Sequence, residues 1–131
     1  MEFSWGWSKG NKLVKNNVGV SIIIAVFNQL KDSKNCINNL EKKTILAHDF
    51  IIVDNGSTDG TKEYFKRLKG IDLKYLRNEA NLGPRLGKYP TLCFIHNDVT
   101  ILKKGWLKTI THILENEDSI GLAGLYGHQK M

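Results

Sequence analysis

At 131 residues, with 41% hydrophobic and 24% charged positions, the chain can bury one core and is too apolar to be read as disordered. Its net charge of +6 favours anionic partners (nucleotides, phosphates, anionic lipid, nucleic acid) without choosing among them. No apolar run reaches the length of a membrane span, and MEFSWGWSKGNKLVKNNVG at the start lacks the apolar stretch of a signal peptide.

Residues 1–18 read as an N-terminal tail ahead of a single domain over 19–131. Trp5 and Trp7 in that tail are the side chains that would touch a membrane interface or a partner. Cys36 and Cys93 have no CxxC partner and no histidine at metal spacing, so they read as buried free thiols. Free thiols suit a reducing cytoplasm, which is the expected setting, with peripheral attachment to a membrane as the alternative.

In chain order, VSIIIAVF at 20–27 is a nearly continuous β-branched run, the pattern of a strand buried on both faces of a parallel sheet. Residues 32–44 place Ile37, Leu40 and Thr44 at helical spacing. DFIIVD at 49–54 predicts a second strand that stops at polar and glycine residues. Ser57 or Thr58 is then placed to cap a helix with Asp59 in its first turn and Tyr64, Phe65 and Leu68 on one face.

IDLKYL at 71–76 predicts a third strand near an edge, and TLCFIH at 91–96 a fourth, buried one. Between them lie 14 residues with Pro84 and Pro90 and no helical pattern. They can span about 46 Å when extended. A parallel crossover usually carries a helix, so part of one sheet face is expected to lie uncovered and open to self-association. Trp106, Leu107, Ile110, Ile113 and Leu114 then follow helical periodicity after Gly105, and SIGLAGLYG at 119–127 reads as one more short strand.

This order predicts an α/β fold: a Rossmann-like, mostly parallel sheet with flanking helices. Such sheets bind ligands at the carboxyl ends of their strands. Three polar clusters fall there: Phe27-Asn28, Asp54 through Thr61, and His96-Asn97-Asp98. Asp54 at a strand tip can accept hydrogen bonds from a base or ribose, although a plain strand, turn and capped helix explain the same string. A helix N-terminus nearby would attract phosphate, but Asp59 opposes it. Asp98, with His96 two positions earlier, is placed to meet a divalent cation held mostly by substrate phosphates; a turn explains that pair equally well.

No GxGxxG follows the first strand and no P-loop occurs, so dinucleotide and ATP phosphate cradles are set aside. The lysines are spread along the sequence without the stripe or stacking aromatics of nucleic-acid modules, so nucleic acid is not the expected partner.

Together these segments resemble the family 2 glycosyltransferases. SIIIAVFNQ at 21–29 is similar to the family's opening strand, with Ala25 and Phe27 where Pro and Tyr are usual. VDNGSTDGT at 53–61 is close to its most recognisable string. NEANLG at 78–83 resembles its Asn-x-Gly element, FIHNDV at 94–99 its metal-binding DxD region, and GWL at 105–107 follows as it often does there.

The resemblance implies a truncated GT-A fold binding a nucleoside-diphosphate sugar, commonly a UDP-sugar, for inverting transfer to an acceptor hydroxyl. It places Phe27 against the base, Asp54 as acceptor of a base hydrogen bond, and Asp98 on Mg²⁺ or Mn²⁺. His96 stands where the family has a first carboxylate. Ala25, Asn28, Ser57 and Asn97 would complete the donor site. Arg85 in GPRLGK would replace a donor-side arginine of the family, with a plain surface loop as the competing reading. The donor sugar and the acceptor are not specified.

An inverting transferase also needs a general base. After Asp98 only Glu115, Glu117 and Asp118 are on offer, at one helix end, and none is expected to serve. A non-catalytic module that keeps the fold is therefore the alternative function.

Overall fold

The computed structural model describes residues 19–116. The expected tail at 1–18, the expected strand at 119–127, Glu117, Asp118 and the side chains of Ile113 and Glu115 lie outside that description. The elements are β1 (Gly19–Val26), α1 (Leu30–Lys43), β2 (Ala47–Asp54), α2 (Thr61–Arg67), β3 (Leu73–Arg77), a 3₁₀ segment (Ala80–Arg85), β4 (Thr91–His96) and α3 (Trp106–Asn116).

The strands form one parallel sheet in the order β3-β2-β1-β4. β1 lies between β2 and β4, which is why its sequence is apolar on both faces. Ile22, Ile24, Val26, Phe50 and Ile52 on one face meet Ile37 and Leu40 of α1, Phe65 of α2, and Trp106 and Leu107 of α3. Each such burial is worth about 1.5–3 kcal/mol, so this layer is the main source of stability. The two cysteines join it as free thiols, and burial pushes both up to about 11.

Several boundaries differ from expectation. β1 stops at Val26, which leaves Phe27 outside the strand, and α1 starts two residues early, at Leu30. α2 starts only at Thr61, so Asp59 precedes the helix and neither Ser57 nor Thr58 caps it as N-cap; Gly60 holds that position at φ 96°. β3 is an edge, as expected. β4, expected to be buried, is also an edge among the described residues, because only β1 pairs with it there; Phe94 is 66% exposed.

The 14-residue crossover covers more of the sheet face than its lack of a helix suggested, although part of that face stays open as expected. Its 3₁₀ segment lies flat on Ile23, Ile51 and Val53, with Leu76, Leu86 and Leu92 packed around them. Gly83 permits the close approach: a Cβ there would sit 3.1 Å from Val53 Cγ2 and 3.6 Å from Ile23 Cγ2. At the amino end of the sheet, Ser21 Oγ donates to the buried Asp49 carboxylate at 2.6 Å. The Lys88 N–H donates to the same carboxylate at 3.2 Å, and the Tyr89 N–H donates to Ser21 Oγ at 3.1 Å. A buried carboxylate thus satisfies backbone donors that a loop lying on a sheet would otherwise leave unpaired. What stays open on this face is the strip around Phe94.

Gly87 tests this account, because a Cβ on it would run into the Ser21 side chain. Gly87→Ala is expected to lower stability by about 1–3 kcal/mol, read as a lower urea midpoint at unchanged slope. An unchanged midpoint would show that the crossover is not held against the sheet.

Candidate active site

The chain order turns back between β1 and β4: β2 and β3 extend the sheet on one side of β1, and β4 returns to the other. A ligand crevice in an open α/β sheet opens at the carboxyl ends of such a pair. Register places Ala25 beside His96 across this pair, and Val26 beside Asp54 on the other side. The three polar clusters of the sequence therefore share one edge of the sheet.

Two of the loops are bonded to each other. The Asn28 N–H donates to Ser57 Oγ at 2.7 Å, and the Thr58 N–H donates to Asn28 Oδ1 at 2.8 Å. Asp59 accepts the first N–H of α1, from Leu30, at 2.9 Å; on its other oxygen it accepts the Thr61 N–H at 3.2 Å and the Thr61 hydroxyl at 2.5 Å. One carboxylate thus sits at the positive ends of two helices, where negative charge is favoured. The Thr61 hydroxyl bond, against a small burial penalty and helped by the Leu30 and Thr61 N–H groups, holds the Asp59 carboxyl below its usual range.

The clasp also accounts for strained backbone. Asn28 and Gln29 have φ of 55° and 56°, a left-handed pair without glycine. Such residues cost about 1–2 kcal/mol each in that region, and asparagine least of all. The only other positive-φ residue besides glycine among those described, Asn78 at φ 57°, lies at the end of β3, where its N–H donates to the Asp54 carbonyl at 2.8 Å. The strain is concentrated at the edge where the site residues meet.

Asp54 is placed differently from its expected part. Its side chain is fully buried, and both carboxylate oxygens are occupied by the chain itself. Oδ1 accepts the Gly56 N–H at 3.1 Å and the Ser57 N–H at 2.8 Å; Oδ2 accepts the Tyr75 hydroxyl and Arg77 Nη1 at 3.2 Å. Burial pushes this carboxyl up, but the bonds from Tyr75, Ser57 and Gly56 outweigh it and hold it below the usual range. The same burial, with the charge of Asp54 beside it, pushes the Tyr75 hydroxyl up. Asp54 fixes the turn after β2, and the exposed residue beside it is Asn55.

Phe27, at the tip of β1, is 58% exposed. His96 and Asp98 are exposed at the tip of β4; Asn97 between them turns inward and donates to Ser33 Oγ of α1 at 3.1 Å. Among the described residues no three His, Cys, Asp or Glu side chains converge as a metal site. An imidazole and a carboxylate still fit a divalent ion whose other ligands are phosphate oxygens, the usual way in which Mg²⁺ is held beside a substrate.

Arg85 is not brought to this edge. Gly83 before it lies over the middle of the sheet, and Gly87 after it lies on Ser21 at the amino end. Arg77 does lie at the carboxyl edge, and sequence reasoning missed it along with Tyr75. Their signal was alternation: in LKYLR, positions 75 and 77 share a face, and register sets Arg77 beside Asp54.

The model of the family described as Glycosyl transferase family 2 matches residues 21–131. An uncharacterized glycosyltransferase of Haemophilus influenzae is 28% identical over 116 residues, covering 82% of this chain and 36% of that protein. The chondroitin synthase of Pasteurella multocida is 26% identical over 136 residues, covering 91% of this chain and 14% of that one. The chain thus spans about a third or less of the length of these relatives. Among solved structures, the mannosyltransferase PcManGT from Pyrobaculum calidifontis, in complex with GDP-Man and Mn²⁺, superposes with a TM-score of 0.66 at 16% identity. That match covers 74% of this chain and 32% of that one. S. aureus TarS gives a TM-score of 0.62 at 20% identity over 73% of this chain and 19% of its own. These likenesses establish the GT-A type of fold.

The depressed carboxyls set the acid limit of stability. A folded pKa below the unfolded value, about 3.9 for aspartate, contributes stability that is complete above that value and lost as pH falls through the folded one. Asp54 and Asp59 both have this sign. Thermal melts from pH 6 downward should therefore lose stability below about pH 4, and Asp59→Asn should melt with a shallower acid slope. Superimposable acid slopes for Asp59→Asn and wild type would remove Asp59 from the clasp.

Proposed function

The chain belongs to glycosyl transferase family 2, and on that premise we propose that residues 19–116 form the donor half of a sugar-transfer site. The carrying observation is the meeting of the β1 and β4 tips at the point where the chain order turns back. The ligand is a nucleoside-diphosphate sugar, with a UDP-sugar as first choice and a GDP-sugar as the alternative to be tested beside it.

The exposed Phe27 ring takes the base. Asn55, exposed next to the occupied Asp54, offers both a donor and an acceptor to the base or ribose. Asn28 and Ser57 hold the loop under the nucleotide, and Ala25, small and half-buried beside His96, leaves room for the diphosphate. Asn97 ties the β4 tip to α1, so that His96 and Asp98 can together hold Mg²⁺ or Mn²⁺. A bound divalent ion supplies neutralisation of the charge that grows on a leaving diphosphate. The residues of this chain bind and orient the donor, and alignment of this kind lowers the barrier to displacement. Arg85 has no part in this reading.

Asp54 and Asp59, two of the carboxylates at this edge, are committed to the fold and not open to a substrate. That observation favours a second reading, in which this stretch binds a donor but does not complete transfer.

Calorimetric titration with UDP and with GDP, each with and without Mn²⁺, tests the proposal. One nucleotide should bind with help from Mn²⁺. Phe27→Ala should weaken it about tenfold, as loss of one base-stacking ring does, and Asp98→Ala should abolish the metal dependence. Absence of binding by both nucleotides, or binding indifferent to Mn²⁺, would overturn the donor site. Donor hydrolysis above background by the 131-residue chain would remove the second reading.

A further inference from the structure

The geometry points to a second functional surface: we propose that the end of the molecule opposite the donor site docks on an anionic lipid surface. The inference is independent of the donor-site reading, because it rests on other residues.

After β4 the chain descends along α1 by a series of hydrogen bonds. Asn97 bonds Ser33, Cys36 Sγ donates to the His96 carbonyl, Asn39 bonds Ile101, Lys43 reaches the Leu102 carbonyl, and Trp106 Nε1 donates to Thr44 Oγ1. This course carries residues 97–106 from the donor edge to the C-terminal end of α1. A helix of 14 residues separates the two ends by about 21 Å.

At the far end the Asn39 side chain holds Ile101 from both sides, donating to its carbonyl at 2.9 Å and accepting its N–H at 2.6 Å. Ile101 is buried as a result, and Leu102 is turned out to 87% exposure. Ile45, just past the end of α1, is 68% exposed. The large hydrophobics exposed among the described residues are Phe27, Ile45, Phe94 and Leu102. Phe27 has the donor site to explain it and Phe94 the sheet edge, whereas Ile45 and Leu102 have neither.

Four lysines accompany this pair: Lys42 and Lys43 beside Ile45, Lys103 and Lys104 beside Leu102. Neither 42–45 nor 99–108 contains an acidic residue, and nearby Glu41 is turned to His48 at 2.7 Å. A single exposed leucine is ordinary, and lysines in the last turn of α1 have a local reason in the helix dipole. That reason does not extend to Lys103 and Lys104. Two outward aliphatic side chains among clustered lysines match the requirements of an anionic bilayer: apolar groups to enter the interface, and cations to meet phosphate headgroups. With this face down, the donor edge points away from the membrane into water, the phase from which a nucleotide sugar arrives.

Co-sedimentation of the full 131-residue chain with phosphatidylcholine vesicles, with and without phosphatidylglycerol, tests the proposal. Binding should require phosphatidylglycerol and fall with added salt. Each of Lys103→Gln and Lys104→Gln should weaken it about fivefold, and Ile45→Ser with Leu102→Ser about tenfold. Because Ile45 and Leu102 are exposed, circular dichroism should show the fold intact, and nucleotide affinity should be unchanged. No binding to anionic vesicles, or binding indifferent to these substitutions, would overturn the docking face. Tighter binding to single-stranded DNA, lost with the lysines but insensitive to Leu102→Ser, would also overturn it and mark a nucleic-acid surface instead.

Discussion

The Asp59 carboxylate is the contact on which the carboxyl edge of this protein depends. It is contributed by the loop after β2, yet it accepts the first backbone donor of α1 as well as that of α2. The loop after β1 therefore cannot move without the loop after β2. Asn28 and Ser57 complete the link from the other side. Exposed side-chain caps of this kind are worth about 0.5–2 kcal/mol each, and the several bonds of the clasp together offset two left-handed residues at about 1–2 kcal/mol each. A strained loop can thus be kept as the resting state, and Phe27 is held out of the core without waiting for a ligand to position it. The same carboxylate occupies both helix starts, so in the proposed donor site a diphosphate would rely on a cation and side chains instead of a helix dipole.

Much of the architecture was legible because its causes are local. The β-branched run at 20–27, the apolar stretch at 91–96 and the abrupt polar stop after Asp54 are properties of short segments, and they predicted parallel strands and a shared polar edge. What the sequence could not show was which acceptor each donor would choose. Asp54 looked like a ligand contact because strand-tip aspartates are free to be one; Tyr75 and Arg77, some twenty residues later, claim it through the β2–β3 register. Asp59 looked like a first-turn residue of one helix and is in fact a cap shared by two. These outcomes depend on contacts between segments far apart in sequence, which periodicity does not encode.

The crossover between β3 and β4 shows the same limit from the opposite side. With two prolines and no helical period it predicted a layer that would leave part of one sheet face uncovered. The layer is present but thin, made by backbone laid directly on the sheet at Gly83 and Gly87 and tied down by Asp49 and Ser21. A helix would have covered more area, and its loss is visible where the strap does not reach, at Phe94 on β4. The lipid-docking surface proposed here lies elsewhere, so the open strip at Phe94 and the lysine-bordered end are separate features with separate consequences for association.

α1 joins the two proposed surfaces. Its N-terminal turn is tied to Asp59 at the donor edge, its middle carries the descending segment 97–106, and its C-terminal turn supplies Lys42 and Lys43. The β4 tip with His96 and Asp98 and the outward Leu102 belong to one continuous stretch pinned to that helix at Ser33, Asn39 and Lys43. A packed helix bridged at three levels behaves as a stiff element, because its side chains sit in close-packed contacts that do not deform gradually. Orientation at one end therefore fixes orientation at the other. A molecule resting on its lysine face would hold the donor edge at a constant height of about two nanometres, set by the length of α1, and would present it to the same aqueous layer on every encounter.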